Sequence, residues 1–530
     1  MIITMKRIFT LIGVVALATT LSAQSRSFED FKAQQNARFN QFKADKQAEF
    51  DAFRKKQNER YAEFMQNSWA HRNAQPAVTP KEEKPQPPVV YENPTPAPAP
   101  APLPKEDNAA PTPQPKPAPT PQPKPAPTPQ PKEESTPILV KDDVIQVPQP
   151  QPAPEPIAPV EPKPEIPYKP YAISFYGTLV SVGFPTNDVF KLEGLSEKQL
   201  SKAWSHLSSE AYDVTLNNVL AVRENLALCD WGYVEMLQAI SEKRYGKTNE
   251  AVFMQAFLLS QSGYRVRLAM DDTRLYVLVA SQYSIVGMPY FELEDIKFYP
   301  INCSKSELHI CEAAFDNEKS LSLQLRQEQK LDAEPTTPRH LQSKYGVTAN
   351  VVVNKNTIDF FNNYPASYFN DDVTTHWVVY ANTPLEKSIQ SSLYPALKQS
   401  IAGLSERDAV NKILNFVQTA FVYEYDDKVW GRDRAFFAAE TLHYPYADCE
   451  DRSILFSRII RDIMGLDVVL LYYPGHLATA VAFTQDVQGD YLLYKNRKYI
   501  VCDPTYINAP LGETMPGMNN QEAKIIVLGH

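Results

Sequence analysis

Tyr446-Ala447-Asp448-Cys449-Glu450-Asp451-Arg452-Ser453 sets a thiol at the head of an apolar helical run. From Cys449 to Met464 the residues Ile454, Leu455, Ile459, Ile460 and Ile463 recur at helical spacing, and Gly465 suits the stop. The pattern predicts a helix that begins at Cys449. At such a position unpaired backbone N–H groups and the macrodipole favour a thiolate and can take up an oxyanion. Asp448, Glu450 and Asp451 act the other way and raise the thiol pKa, with Arg452 opposing them.

Two stretches downstream complete a chemical set. His476 follows the turn Tyr473-Pro474-Gly475 and opens a strand-like run from Leu477 to Phe483. Asp503 closes the strand-like Lys498 to Cys502 and is followed by Pro504-Thr505-Tyr506. The two intervals, 476 − 449 and 503 − 476, are both 27 residues. Thiol attack on a carbonyl needs a nucleophile, a base to take its proton and a carboxylate to hold the base. Cys449, His476 and Asp503 are the candidate catalytic residues, with activation expected mainly from an ion pair between His476 and the thiolate. The competing reading is a buried, inert cysteine.

These motifs resemble the transglutaminase-like superfamily, whose pattern is a Cys opening a helix, a His opening a strand and an Asp-Pro-Thr closing another. The matches are Asp448-Cys449-Glu450-Asp451, Gly475-His476 and Asp503-Pro504-Thr505, within about the last 130 residues. The resemblance implies an α+β, papain-like domain with the Cys helix packed on an antiparallel sheet. It also implies an acyl-thioester intermediate on peptide or amide bonds, resolved by water or by an amine, with hydrolysis favoured. Ala447 stands where Gly is common, and Leu477-Ala478-Thr479 lacks the usual aromatic two residues after the His. Trp430 is a candidate side-chain oxyanion donor, or else a core or surface tryptophan. The alternative to an enzyme is a non-catalytic envelope scaffold or peptide-binding protein with the same fold.

Composition sets the remaining bounds. The chain has 530 residues, 46 prolines against 17 glycines, and a net charge of −9, which disfavours nucleic acid as a partner. Eight histidines show no paired metal-ligand spacing on a helix, so neither metal nor cofactor is expected. Residues 1–23 read as a signal peptide, with Lys6-Arg7, the apolar Ile8 to Leu17 and the cleavage site Leu21-Ser22-Ala23, which predicts a periplasmic or extracellular protein. Cys303 and Cys311 flank a short segment that either closes a disulfide loop or holds two reduced thiols.

Residues 24–72 carry an 11-residue repeat: Phe28, Phe39, Phe50 and Tyr61, with Phe31, Phe42, Phe53 and Phe64. Such a repeat puts one aromatic stripe on a nearly straight helix. Self-association is its first expected use, packing on the C-terminal half the second, and envelope contact the third. Residues 73–170 hold most of the prolines, including Pro-Thr-Pro-Gln-Pro-Lys-Pro-Ala at 111–118 and 119–126. They predict an extended polyproline spacer without helix or sheet, with a contour approaching about 300 Å.

Residues 171–317 read as a degenerate copy of the catalytic domain, assigned to 396–530. Aligning Gly263 with Gly465 gives an offset of 202. Arg274 then takes the His476 place, Lys247 or Thr248 the Cys449 place, and Tyr299 the Asp503 place, so the copy carries no triad and is left with structural support or a peptide-binding surface as its role; the competing reading is coincidence between two helix–Gly–strand–strand units. Between the copies, 318–395 is expected to be β-rich, with strands at Leu321 to Leu325, Val347 to Asn354 and His376 to Ala381.

Overall fold

The computed structural model describes residues 3–79, 85–91, 138–139, 144–147, 152–160, 166–301 and 303–529, with side chains of the first helix from Phe31 onward. The proline repeats at 111–132 lie outside the described residues, as does the side chain of Phe28. The protein is a mixed α+β chain of two compact units. The first comprises Met1–Pro80, Gln149–Glu334 and Lys355–His376; the second comprises Lys81–Pro148, Pro335–Asn354 and Trp377–His530. Among the described residues no helix is long and apolar enough to cross a membrane.

In the second unit the helix Cys449–Met464 forms where the periodicity places it. Asp448 and Asp451 make a reciprocal capping box at its start, and Gly465 closes it in the left-handed conformation at φ 66°. Chain then turns directly into the hairpin Asp467–Tyr473 and His476–Ala482, against which the helix packs. The hairpin is central in a seven-stranded sheet. Its order is Ile138–Leu139, Tyr491–Tyr494, Arg497–Cys502, His476–Ala482, Asp467–Tyr473, Lys524–Val527 and Val144–Gln146. Inner pairings are antiparallel and the two outermost are parallel. Val469, Leu471, Tyr473, Ala478, Ala480, Leu492, Val501 and Ile525 form one continuous core cluster on this sheet.

The outer strands correct the expectation that the proline region excludes sheet. Ile138-Leu139 and Val144-Ile145-Gln146 are short runs without proline, so their N–H groups are free to join a ladder. The predicted β-rich segment is corrected too. His376–Asn382 is a helix, led by a 3-10 turn in which the Asp372 side chain accepts from the Thr374 N–H, and residues 318–395 divide between the two units. Of its expected strands, Thr348–Val351 forms, paired with Arg339–Gln342. Leu321 to Leu325 make one bridge, at Leu321.

In the first unit the helix Asn249–Gln261 leads into Val266–Met270 and Leu275–Ser281. Their sheet runs Trp69–Asn73, Glu307–Cys311, Val266–Met270, Leu275–Ser281, Ile296–Pro300 and Phe291–Leu293, antiparallel throughout. Five of these strands repeat the chain order and neighbours of Lys524–Val527, Asp467–Tyr473, His476–Ala482, Arg497–Cys502 and Tyr491–Tyr494. Hairpin register repeats as well: Val468↔Val481 and Tyr472↔Leu477, less 202, become the observed Val266↔Val279 and Met270↔Leu275. The two units are copies of one supersecondary plan.

Register also corrects two residues of the silent copy. Tyr299 pairs with Val279, as Ile500 pairs with Val481, so Tyr299 is the counterpart of Ile500. Cys502, which pairs with Thr479, corresponds to Ile301, whose N–H donates to the Val277 carbonyl. The next residue, Asn302, lies outside the described residues. At the helix start, Asn249 rather than Lys247 or Thr248 reaches the hairpin: its Oδ1 accepts from the Leu275 N–H at 2.9 Å.

The first helix spans Ile3–Met65, shorter at its C-terminal end than expected, because Trp69–Asn73 is already a strand. Trp69 Nε1 donates to the Met65 carbonyl and closes the helix. Of the aromatic stripe, Tyr61 is seated in the first unit's core, stacked on Phe315 at 4.3 Å and beside Trp204 at 4.4 Å. Phe31, Phe39, Phe42, Phe50, Phe53 and Phe64 are exposed. All five cysteines are free thiols, so the 303–311 disulfide does not form. Cys303 packs on the sheet face that carries Ile310, and successive strand residues point oppositely, which turns Cys311 to the other face.

Candidate active site

His476 and Asp503 meet. His476 Nε2 and Asp503 Oδ2 are 2.8 Å apart, and both side chains are almost wholly buried. The motif after Asp503 explains how one oxygen is kept for the imidazole. Pro504 has no N–H to give, while the N–H groups of Thr505 and Tyr506 both donate to Asp503 Oδ1. Asp503 Oδ1 thus fastens the turn and Oδ2 holds the histidine. His476 Nδ1 is buried and makes no hydrogen bond. Its place at the strand start follows from the hairpin: Gly475 turns in the left-handed region at φ 74°, and His476 pairs with Tyr473 across it. The Tyr473 ring lies along the imidazole with centroids 6.2 Å apart.

Cys449 is 3% exposed at the head of its helix. Its sulfur lies in hydrogen-bonding reach of the backbone N–H of Leu477, the residue after His476. One turn along the helix, Ser453 Oγ donates to the Leu477 carbonyl at 2.8 Å and ties the helix to the His strand at that residue. The thiol donates to Glu450 Oε2 at 3.1 Å. Burial, then the charges of Glu450 and Asp448, push the Cys449 pKa well above the ordinary thiol value, while the Leu477 N–H opposes them. The direction is the one read from the acidic neighbours in sequence.

Those neighbours belong to an acidic group that is buried apart from the exposed Asp433. Oxygens of Asp426, Asp433 and Glu450 lie within 4.8 Å of one another, as do ligand atoms of Asp448, Cys449 and Glu450. Burial, with Asp433 and Asp426 nearby, raises Glu450 to about 8, and burial raises Asp426 to about 7. Asp451 is raised by burial and bonded to the Phe436 and Asp448 N–H groups. Protonation therefore relieves much of the negative charge around the sulfur near neutrality. Arg452 does not neutralise it by direct pairing: its guanidinium donates to the carbonyls of Ala447, Gln418 and Phe421.

Gln418 is a positioning residue that the motif reading did not find. From the buried end of the helix Glu406–Thr419 its Nε2 donates to the carbonyls of Asp503, Tyr506 and Ala509 at 2.8 to 3.1 Å. The signal was a glutamine one turn after Leu414, on a stripe otherwise formed by Ala409, Val410, Ile413 and Val417. Trp430 holds the Arg434 guanidinium 4.6 Å from its ring and meets Phe436 and Tyr444 edge-on. None of these contacts is with Cys449.

A short piece of the proline arm runs past the same loops. The Gln86 N–H donates to the Gly475 carbonyl, and Val89 and Tyr91 exchange two 2.8 Å backbone bonds with Ile507. Val89 and Tyr91 pack on Tyr506, Ala509 and Met515. This strap therefore joins the turn before His476 to the loop after Asp503. Comparison with family models, curated proteins and solved structures returns no match to the chain.

Proposed function

We propose that the chain is an exported cysteine acyl-transfer enzyme of transglutaminase-like type, acting on peptide or amide bonds, with water favoured over an amine as the final acceptor. The supporting observation is the buried His476–Asp503 pair, whose second imidazole nitrogen has no partner while the Cys449 sulfur sits against the next peptide unit. In this reading Asp503 fixes the imidazole so that Nδ1 is the basic nitrogen. The Cys449 proton turns from Glu450 to Nδ1, and the sulfur adds to the carbonyl carbon. The tetrahedral adduct collapses as Nδ1 returns the proton to the leaving amine. Water, deprotonated by the same nitrogen, then cleaves the thioester and restores the thiol. The N–H groups at the helix head are the donors available to the oxyanion, and Trp430 is proposed as a further one.

The segment 1–23 is proposed as a cleaved leader, with a periplasmic or extracellular site of action on peptide or protein substrates. The exposed Phe31 to Phe53 stripe is proposed to join copies of the chain. A second reading, a non-catalytic scaffold or peptide binder, draws on the raised thiol pKa and the closed site. Incubation with p-nitrophenyl acetate separates the two. The enzyme reading expects an acetyl group on Cys449 in the mass spectrum, lost in Cys449→Ala and strongly reduced in His476→Ala. No acylation, or acylation indifferent to His476, leaves the binding reading. Added glycinamide then distinguishes water from amine as acceptor by the product formed.

A further inference from the structure

The first unit has an opening where the second unit carries Cys449 and His476. A cavity of about 730 Å³ lies at the head of the helix Asn249–Gln261, between it and the start of Leu275–Ser281. Its walls include Asn249, Arg274 and Ile301, the counterparts of Cys449, His476 and Cys502 by register and by the shared bond to the hairpin. The contrast with the second unit is one of access. There the corresponding three side chains are at most 3% exposed, whereas here the same corner of the plan is an open cleft. Its size falls in the range of small-ligand sites, roughly 300–1,000 Å³.

The lining fixes the chemistry. Arg274 and Lys247 are exposed at the cavity and have no ion-pair partner among the described residues. The acids of the same wall are already engaged. Glu193 pairs with Lys202, Glu242 accepts from Gln238, and Glu250 accepts from the Leu192 N–H. The side chain of Thr248 caps no backbone group of the helix head, since its hydroxyl donates to the Tyr245 carbonyl. Two available cations mark a place for one anionic group, and a guanidinium suits a carboxylate by its paired donors. Engaged carboxylates nearby disfavour a multiply charged anion but accept N–H donors. Aliphatic wall between them suits a chain of small side groups.

We propose that this cleft binds a short peptide, its free terminal carboxylate held by Arg274 and Lys247 and its N–H groups turned to the acidic side. The site is a binding site without acyl-transfer chemistry, because neither thiol nor imidazole lines it. It stands on the first unit alone and does not depend on Cys449 being active.

The test is calorimetric titration of the full mature chain, carrying Cys449→Ser to prevent turnover, with trialanine, trialanine amide and inorganic phosphate. Trialanine is expected to bind, the amide about tenfold or more weakly, matching the loss of one charge-assisted contact. Arg274→Ala and Lys247→Ala should each weaken trialanine by a similar factor while the melting temperature stays put, as both side chains are exposed. Three results overturn the proposal: no binding of trialanine at about 10 mM, equal binding of acid and amide, or binding indifferent to both substitutions. Phosphate binding as tightly as trialanine also overturns it, by reducing the cleft to a general anion site.

Discussion

The sulfur of Cys449 is held as a thiol by its nearest neighbour. Glu450 accepts a hydrogen bond from the thiol, and burial with the acidic group raises the thiol pKa. Glu450→Gln removes the strongest charge acting on it once Glu450 is ionised, so carboxyamidomethylation of Cys449 above about pH 8 should become several-fold faster, read by mass spectrometry of the labelled peptide. An unchanged rate would mean that access, rather than ionisation, limits the sulfur. The same acids give the second unit a pH signature. Glu450 is raised from 4.5 to about 8 and Asp426 from 3.8 to about 7. A folded pKa above the unfolded one contributes stability that is complete below the unfolded value and is lost as pH rises through the folded value. Thermal stability of this unit should therefore fall between about pH 4.5 and pH 8, and Glu450→Gln, a neutral replacement, should flatten the fall. A melting temperature that climbs over that window would contradict the assignment.

Two elements hold the Asp503 turn from outside. Gln418 serves three buried carbonyls, so Gln418→Ala takes this donor from Asp503, Tyr506 and Ala509, of which Tyr506 keeps the Ala509 N–H. The expected loss is about 1–3 kcal/mol in denaturant unfolding, together with reduced acylation of Cys449 as Asp503 loosens. A loss of stability with acylation unchanged would make Gln418 purely structural. The strap over residues 85–91 bonds to Gly475 and Ile507 from the other side. Removing 85–91 should raise the labelling rate of Cys449, because the backbone groups beside His476 and beyond Asp503 become open to an extended substrate. If removal slows labelling, the strap builds the site instead of covering it.

Each unit contains the same plan of one helix and five strands, and the candidate catalytic residues stand in one of them only. Helix, hairpin and flanking strands match in order and register, while the residues at the reactive corner differ. Ahead of both copies stands a helix whose Tyr61 is anchored in the core, while the phenylalanines before it and Phe64 after it are exposed. Six exposed phenylalanines on one element form an apolar face of the kind that marks an interface. Light scattering should find the mature chain oligomeric, and Phe39→Ser with Phe42→Ser, Phe50→Ser and Phe53→Ser should return it to a monomer. A monomeric parent chain would leave the stripe to another partner.

Sequence alone determined the local facts here. The helix at Cys449, its glycine stop, the strand opened by His476 and the acidic surroundings of the thiol all follow from residues within one or two turns of each other. Helical periodicity and capping are short-range physics, and so is the Asp503 turn. His376 to Ala381 misled because a short apolar run fits strand and helix equally, and its partners decide. Only the tertiary structure brought Asp503 to His476, placed Gln418 under the turn and laid the strap beside it, since those contacts join residues 27 to 418 positions apart. Register decided the silent copy for the same reason. A ladder bond counts distance across the sheet, and the sequence counts it along the chain.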